Sequence, residues 1–361
     1  VTTLLVAAAE ASGDRLAATL VGALRAGAPS LRVRALGGPA LRGAASEVVA
    51  ATDGLGVMGF VEGAKVALRA RRVTAAAQAA LREGPPAACL TVDAPSLWLP
   101  VARAARSAGV PALHLVAPQV WAWRPGRVPR IAASVDLLLC LLPFEPAWFE
   151  GHVRAVFVGH PAAAVIPAPV PRPGDPAIAL CPGSRPAEVR ALAPVFAAAA
   201  RRIRRERPSA GFLVPVAPGV DAGPLLALPG AVPVPGIAAV AGADAALVAS
   251  GTATLELAAL DVSMVVAYRV HPLVAALARR ALRVDHVALP NLLAGRRLVP
   301  EHLQDLDPDA LAREVLDRCG QRGQVPRSLV DALEGPRAVE RMVAEVSPWL
   351  AARSAAAPGP C

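Results

Sequence analysis

Short apolar runs of strand length alternate with longer helical stretches along most of this chain. In the first half the runs are "TLLVAAA", "LRVRAL", "ACLTVD", "ALHLVA", "VDLLLCLL" and "AVFVG", with stretches such as "DRLAATLVGALRAG" and "VEGAKVALRARRVTAAAQAALRE" between them. Runs this apolar read as strands buried on both faces, and strand–helix alternation packs as a parallel sheet wrapped by helices. The Pro-rich stretch "HPAAAVIPAPVPRPGDP" (160–176) has no periodicity and reads as a semi-rigid linker. The alternation then restarts with "AIALC", "GFLVPV", "AVPVPG", "DAALVA" and "MVVAY". The pattern predicts an α/β protein of two doubly wound domains facing across a cleft. The expected boundaries are 1–160 for the first domain, 161–175 for the linker and 176–330 for the second domain. Residues 331–361 are expected to form a helix and tail that can pack back on the first domain.

Composition adjusts this picture at a few points. A chain of 361 residues is long enough for two domains with cores of their own. Apolar residues make up 55%, much of it Ala, and aromatics only 3%, so an aromatic outside a core asks for an explanation. The net charge of +9 fits either a soluble basic protein or attraction to an anionic partner: nucleic acid, a phosphorylated substrate or an anionic membrane face. No basic run resembles a nucleic-acid tail, and the one tight cluster, "RRIRRER" (201–207), ends a helix, where the dipole favours cations. Five Cys with no CxxC and no zinc spacing fit a reducing cytoplasm. "VTTLLVAAAE" lacks a basic n-region and reads as a first strand rather than a signal peptide. No apolar run is long and unbroken enough to span about 30 Å of hydrocarbon.

Candidate chemistry sits where such sheets bind ligands, beyond the carboxyl ends of the strands. In "AAAEASGD" (7–14), Gly13 permits a tight turn and Ser12 or Asp14 can cap the following helix. "TVDAPSLW" places Asp93 at the end of a buried strand, as a general base for a substrate hydroxyl or as a helix N-cap. In "VAPQVWAWRPGR" (116–127), Trp121 and Trp123 either wedge a helix against the sheet or stack on a sugar, and Arg124 and Arg127 can face a phosphate. No GxGxxG is present, so a dinucleotide fingerprint is missing.

The second half carries two anion-ready turns. "CPGSRPAEVRAL" (181–192) leads from a strand through Gly183, Ser184 and Arg185 into a helix that Pro186 opens. Helix N-terminal N–H groups favour negative charge, Gly lets the backbone come close, and the Arg fork matches a phosphate. "LVASGTATLELAA" repeats the arrangement with Ser250, Gly251, Thr252 and Thr254, and Glu256 one turn in can accept two hydroxyls of a ribose. Two such turns on neighbouring strands point to a diphosphate with a nucleoside beside it.

Eight motifs in order, "EASGD", "GVMGFVEG", "VWAWR", "LPFE", "FVGHP", "PGSRPAEV", "ASGTATLE" and "LPNLLAGRRLVPE", make the chain from about Leu4 to about Asp305 resemble the lipid-A-disaccharide synthase family. The resemblance implies a metal- and cofactor-free inverting glycosyltransferase of the GT-B type. It would join UDP-2,3-diacylglucosamine to 2,3-diacylglucosamine 1-phosphate (lipid X), giving the lipid A disaccharide 1-phosphate and UDP. It also implies a peripheral place on the cytoplasmic face of the inner membrane, with no nucleic acid bound and a homodimer left open. By position, Asp93 matches the family's catalytic base, with Glu10 beside it among the catalytic candidates. Arg185 and Asn291 match the UDP-sugar site, where Gly183, Ser184, Ser250, Gly251, Thr252 and Glu256 are also expected. Ser12, Gly13, Asp14, Met58, Trp123 and Arg124 are the acceptor-side candidates. The stretch 56–72, with Val57, Met58, Phe60 and Val61 followed by Lys65, Arg69, Arg71 and Arg72, reads as an interfacial anchor or as a core helix with a solvated basic face.

The chain departs from the family pattern at Ala9, at Ser96, Leu97 and Trp98 after Asp93, and at Ala117. These changes lie on the acceptor side and leave two other readings in play: another UDP-sugar enzyme of the same fold, or a UDP-lipid-binding paralogue without catalysis.

Overall fold

The computed structural model describes residues 2–55, 63–217, 219–270, 275 and 284–354. The chain divides into two compact units, Val1–Gly159 with Arg337–Cys361, and His160–Pro336.

The first unit holds a seven-stranded sheet: β1 (Thr3–Ala8), β2 (Arg32–Gly37), β3 (Glu47–Ala51), β4 (Ala88–Val92), β5 (Ala112–Leu115), β6 (Leu137–Cys140) and β7 (Arg154–Phe157). Their order is β3-β2-β1-β4-β5-β6-β7 and every pair is parallel. Helices α1 (Ala11–Gly27), α2 (Pro39–Ala44), α3 (Gly63–Glu83), α4 (Pro95–Ser107) and α5 (Val128–Ala132) connect the strands. Alternation along β1 shows why the run is apolar throughout. Leu4, Val6 and Ala8 enter one core with α1, while Leu5 and Ala7 enter the other with α3 and α4.

The second unit holds β8 (Ala177–Cys181), β9 (Gly211–Pro215), β10 (Ala231–Val234), β11 (Ala245–Ala249), β12 (Met264–Tyr268) and β13 (Glu301–Leu303) in the order β10-β9-β8-β11-β12-β13, again all parallel. Its described helices are α6 (Pro186–Glu206), α7 (Gly223–Leu226), α8 (Ala253–Ala259), α9 (Leu289–Ala294), α10 (Pro308–Arg318) and α11 (Arg327–Asp331). A last helix, α12 (Gly335–Ser354), sends Ala338, Met342, Val346 and Leu350 into the core of the first unit beside Leu4 and Val6.

The Pro-rich stretch lies along the second unit. Ala168 N–H donates to the Ala238 carbonyl at 2.9 Å, Asp175 N–H donates to the Ser209 carbonyl at 2.9 Å, and Arg172 pairs with Asp244. Two strands escape the sequence pattern. β3 is an edge strand with half-exposed residues, and β13 has only three residues, so neither forms a continuous apolar run. In each sheet the strand order reverses once, between β1 and β4 and between β8 and β11. These are the topological switch points, where doubly wound sheets leave a crevice for ligands.

Candidate functional site

In the first unit the switch point brings the loops after β1 and β4 together. Asp93 follows β4, and its backbone N–H donates to the Leu115 carbonyl at 2.9 Å. Asp93 has φ 54° and Ala94 φ 41°, two consecutive non-glycine residues in the left-handed region. Each such residue costs on the order of 1–3 kcal/mol, and strain of this kind gathers at functional sites. The strained turn aims the Asp93 carboxyl, which accepts from Ala94 N–H at 2.7 Å, while Pro95 starts α4. Gly13 in the first turn of α1 packs against it: a Cβ there would lie 3.3 Å from the Asp93 Cβ. Gly13 thus serves a close approach to Asp93 rather than a turn of its own, and a larger residue there would press on Asp93.

The capping expectation at this loop is corrected. Glu10 is the N-cap of α1, with no side-chain cap bond, and Ser12 and Asp14 lie inside the helix. Asp14 is buried and reaches another helix instead. Its carboxylate accepts from Gly38 N–H at 2.7 Å, Ala40 N–H at 2.9 Å and Leu41 N–H at 3.3 Å, satisfying the start of α2. Below Asp93, Thr91 Oγ1 lies 2.8 Å from His114 Nδ1 on the neighbouring strand. Burial pushes the His114 imidazole down to about 4. Trp98, at one of the departures from the family pattern, is fully buried, and its indole N–H has no protein partner among the described residues.

The loop after β5 has its own strained points, Val116 at φ 74° and Arg124 at φ 57°. The two Trp behave differently. Trp121 is buried, meets Phe144 edge-on at 5.3 Å between centroids, and donates from Nε1 to Glu145 at 3.2 Å. Trp123 is exposed, with the Arg124 guanidinium 4.8 Å above its ring. Glu145, in the "LPFE" motif, had no role assigned from sequence. It is buried and accepts from Leu141 and Leu142 N–H at 3.1 and 3.0 Å, so it clamps the loops after β5 and β6 to each other. Burial pushes its carboxyl up to about 7 against the opposing pull of those hydrogen bonds.

In the second unit both anion-ready turns lie at the ends of β8 and β11, adjacent strands flanking the switch point. Gly183 has φ +113°, and a Cβ there would sit 2.6 Å from Glu188 Oε2. Arg185 is the N-cap residue of α6, and its guanidinium pairs with the Glu188 carboxylate at 3.0 Å. Ser250 Oγ donates to the Val287 carbonyl at 2.8 Å, Gly251 has φ 146°, and Thr252 precedes α8. Thr254 is fully buried and donates to the Gly251 carbonyl at 2.7 Å, which folds the turn back on itself. Glu256 lies in the first turn of α8. Burial raises the Cys181 thiol, and the negative charge of Glu256 raises it further.

Asn291, expected at the UDP-sugar site, has its side chain inside the second unit. It is fully buried in α9, and its carboxamide is committed inside the fold to Val299, Leu298 and Glu301. Met58 and the apolar half of the 56–72 stretch lie outside the described residues. Arg69, Arg71 and Arg72 on α3 are exposed, as is Leu68. Among the described residues no group of His, Cys, Asp or Glu has a metal-binding arrangement. No described helix is long and apolar enough to cross a membrane.

Comparison with known proteins gives the site a context. The model of the family described as lipid-A-disaccharide synthetase matches residues 4–316. The lipid-A-disaccharide synthase of Anaeromyxobacter dehalogenans strain 2CP-C is 39% identical over 368 residues, covering 95% of this chain and 96% of that protein. The lipid-A-disaccharide synthase of Alkalilimnicola ehrlichii is 42% identical over 332 residues, covering 84% of this chain and 86% of that protein. Among solved structures, CalG4, the calicheamicin glycosyltransferase, is similar with a TM-score of 0.65 at 18% identity, over 97% of this chain and 98% of that one. At that identity the likeness is one of fold, a GT-B architecture of two doubly wound domains.

Proposed function

Because this chain belongs to the lipid-A-disaccharide synthetase family and is a glycosyltransferase of lipid A disaccharide synthesis, we propose that it joins UDP-2,3-diacylglucosamine to 2,3-diacylglucosamine 1-phosphate. The observation that carries the acceptor half is the strained Asp93–Ala94 turn at the switch point, with Gly13 packed against it. Asp93 takes the proton from the acceptor 6-hydroxyl as that oxygen attacks the anomeric carbon of the donor. The bond from the anomeric carbon to the diphosphate oxygen breaks, and its electron pair leaves with UDP. Attack from the face opposite the leaving group inverts the anomeric centre and gives the β-1,6 linkage.

The donor half falls to the second unit. Negative charge builds on the diphosphate as the bond breaks. Arg185 and the backbone N–H groups opening α6 and α8 meet it with charge already in place, which avoids the cost of reorienting water. Glu256 accepts the ribose hydroxyls. Trp123, exposed beside Arg124, offers a face for the acceptor sugar, and Arg124 a cation for its phosphate. Acyl chains on both substrates require the enzyme to work at a lipid surface. The exposed Leu68, Arg69, Arg71 and Arg72 support a peripheral place on the anionic cytoplasmic face of the inner membrane.

The test is turnover with both lipid substrates, in detergent and on anionic vesicles, with Asp93→Asn alongside. Mass spectrometry is expected to find the disaccharide with the native chain and a rate lower by about 10²–10⁴ with the variant. UDP release without disaccharide would reject the acceptor, an unimpaired variant would reject the base, and failure to sediment with vesicles would reject the membrane surface.

A further inference from the structure

We propose that Asn291 and Glu301 form a positioning pair that sets the donor-binding turn without touching the donor, an inference that rests on the UDP-sugar reading above. Asn291 Nδ2 donates to the Val299 carbonyl at 2.8 Å and to Glu301 Oε1, and Oδ1 accepts from Leu298 N–H at 2.6 Å and Val299 N–H at 2.8 Å. A carboxamide has two donor hydrogens and two acceptor lone pairs, and all four are used. Nothing of this side chain is left for a ligand, and it has no exposed surface.

Glu301 passes the constraint on. Besides Asn291, its Oε1 lies 3.2 Å from His286 Nδ1, and its Oε2 accepts from Val287 N–H at 2.9 Å and Ala288 N–H at 3.3 Å. The carboxylate of a strand residue thus gathers the segment 286–288 and the helix α9 onto the start of β13. That segment bears directly on the donor turn, because the Val287 carbonyl accepts the Ser250 hydroxyl at 2.8 Å. Ser250 precedes Gly251 and Thr252, whose backbone opens α8. The line of contacts runs from Asn291 to Glu301, to Val287, to Ser250 and to the N–H groups proposed to meet the diphosphate.

The contact between these two positions needs one carboxamide and one carboxylate, and it can run in either direction, although only a carboxamide at 291 also donates to the Val299 carbonyl. That reversibility distinguishes it from direct contact. If Asn291 donated to the sugar or the diphosphate, a carboxylate there would repel the anion whatever stood at position 301. If the pair only positions, then Asn291→Asp with Glu301→Gln restores the bond between the two positions in reverse, with the carboxamide now at position 301 donating to the carboxylate now at position 291, and leaves the Val299 carbonyl without its side-chain donor.

Isothermal titration of the full chain with UDP tests this for native protein, N291D, E301Q and the double variant, together with donor and acceptor KM. Each single variant leaves a buried polar group unsatisfied and is expected to weaken UDP binding and raise donor KM by about 5- to 50-fold, with acceptor KM unchanged. The double variant is expected to bind UDP about 3- to 10-fold more tightly than N291D, because it restores the hydrogen bond between the pair but not the one to the Val299 carbonyl. A double variant as weak as N291D would overturn the proposal and make Asn291 a ligand. Single variants that lose thermal stability but keep native UDP affinity would also overturn it, leaving a scaffold role. If the single variants do not fold, the double variant decides alone: a folded chain that binds UDP upholds the pair, and a folded chain that does not bind UDP refutes it. If the native chain itself binds no UDP, the donor-site reading falls first and this inference with it.

Discussion

At the scale of single residues, the donor turn is occupied by its own carboxylate before any substrate arrives. One Glu188 oxygen pairs with Arg185, the other fills the space that a Cβ at Gly183 would need, and the side chain is largely buried. The same glutamate stands in the first turn of α6, where negative charge is favoured by the helix dipole. The diphosphate of the proposed donor would compete with Glu188 for Arg185 and meet a like charge nearby. Glu188→Gln keeps the shape and removes that competition, so UDP is expected to bind about two- to fivefold tighter, the range of a half-exposed ion pair. Arg185→Gln is expected to lower kcat by about 10²–10³, since the lost donor acts most on the departing charge. Titration calorimetry and steady-state kinetics check the two, and weaker UDP binding by the Glu188 variant would show that its capping role dominates.

At the scale of elements, Glu145 is the tie between the segments that follow β5 and β6. Its carboxylate holds Trp121 on one loop and two backbone N–H groups on the other. Burial raises its folded pKa to about 7 from an ordinary 4.5, so the native state keeps this proton longer than the unfolded chain does. Its contribution to stability therefore grows as pH falls from about 7 to 4.5. His114 works the other way. Its folded value of about 4 lies below the ordinary 6.5, so the unfolded chain takes up the proton first and stability is lost as pH falls from 6.5 toward 4. The two oppose each other in one unit over pH 4.5–6.5. Glu145→Gln removes the compensating group, and its Tm is expected to fall more steeply than that of the native chain between these pH values. Scanning calorimetry at the two ends of the window measures it, and equal slopes would refute it.

At the scale of the whole molecule, the first unit is closed by the chain's last helix. Met342 and Val346 are fully buried against the strands that began the chain, and Arg154 pairs with Glu345 at 2.8 Å on the same helix. Folding of this core therefore waits on residues more than 300 positions from β1, a long loop to close. Met342→Ala is expected to cost about 2–5 kcal/mol. The loss should appear in the unfolding transition of the first unit while that of the second stays in place, which calorimetry with domain-selective proteolysis resolves.

The elements and the candidate anion turns were legible because they are local. An apolar run, a glycine that must take positive φ and a proline at the start of a helix each act within a few residues. The adjacency of β8 and β11 could likewise be anticipated, since their turns share one anion-binding pattern. Side-chain partners could not be read in this way. Asp14 looks like a cap for its own helix and serves one 24 residues on. The motifs "LPFE" and "LVPE" stand out as patterns, but nothing local says that Glu145 and Glu301 are buried clamps. Asn291 was legible as important and not as a residue with every bond spent. β3 and β13 are too short or too exposed to stand out. Sequence determines propensity, period and the chemistry on offer. Which donor meets which acceptor depends on burial, because only out of water must every polar group find a partner, and the fold alone decides which one lies in reach.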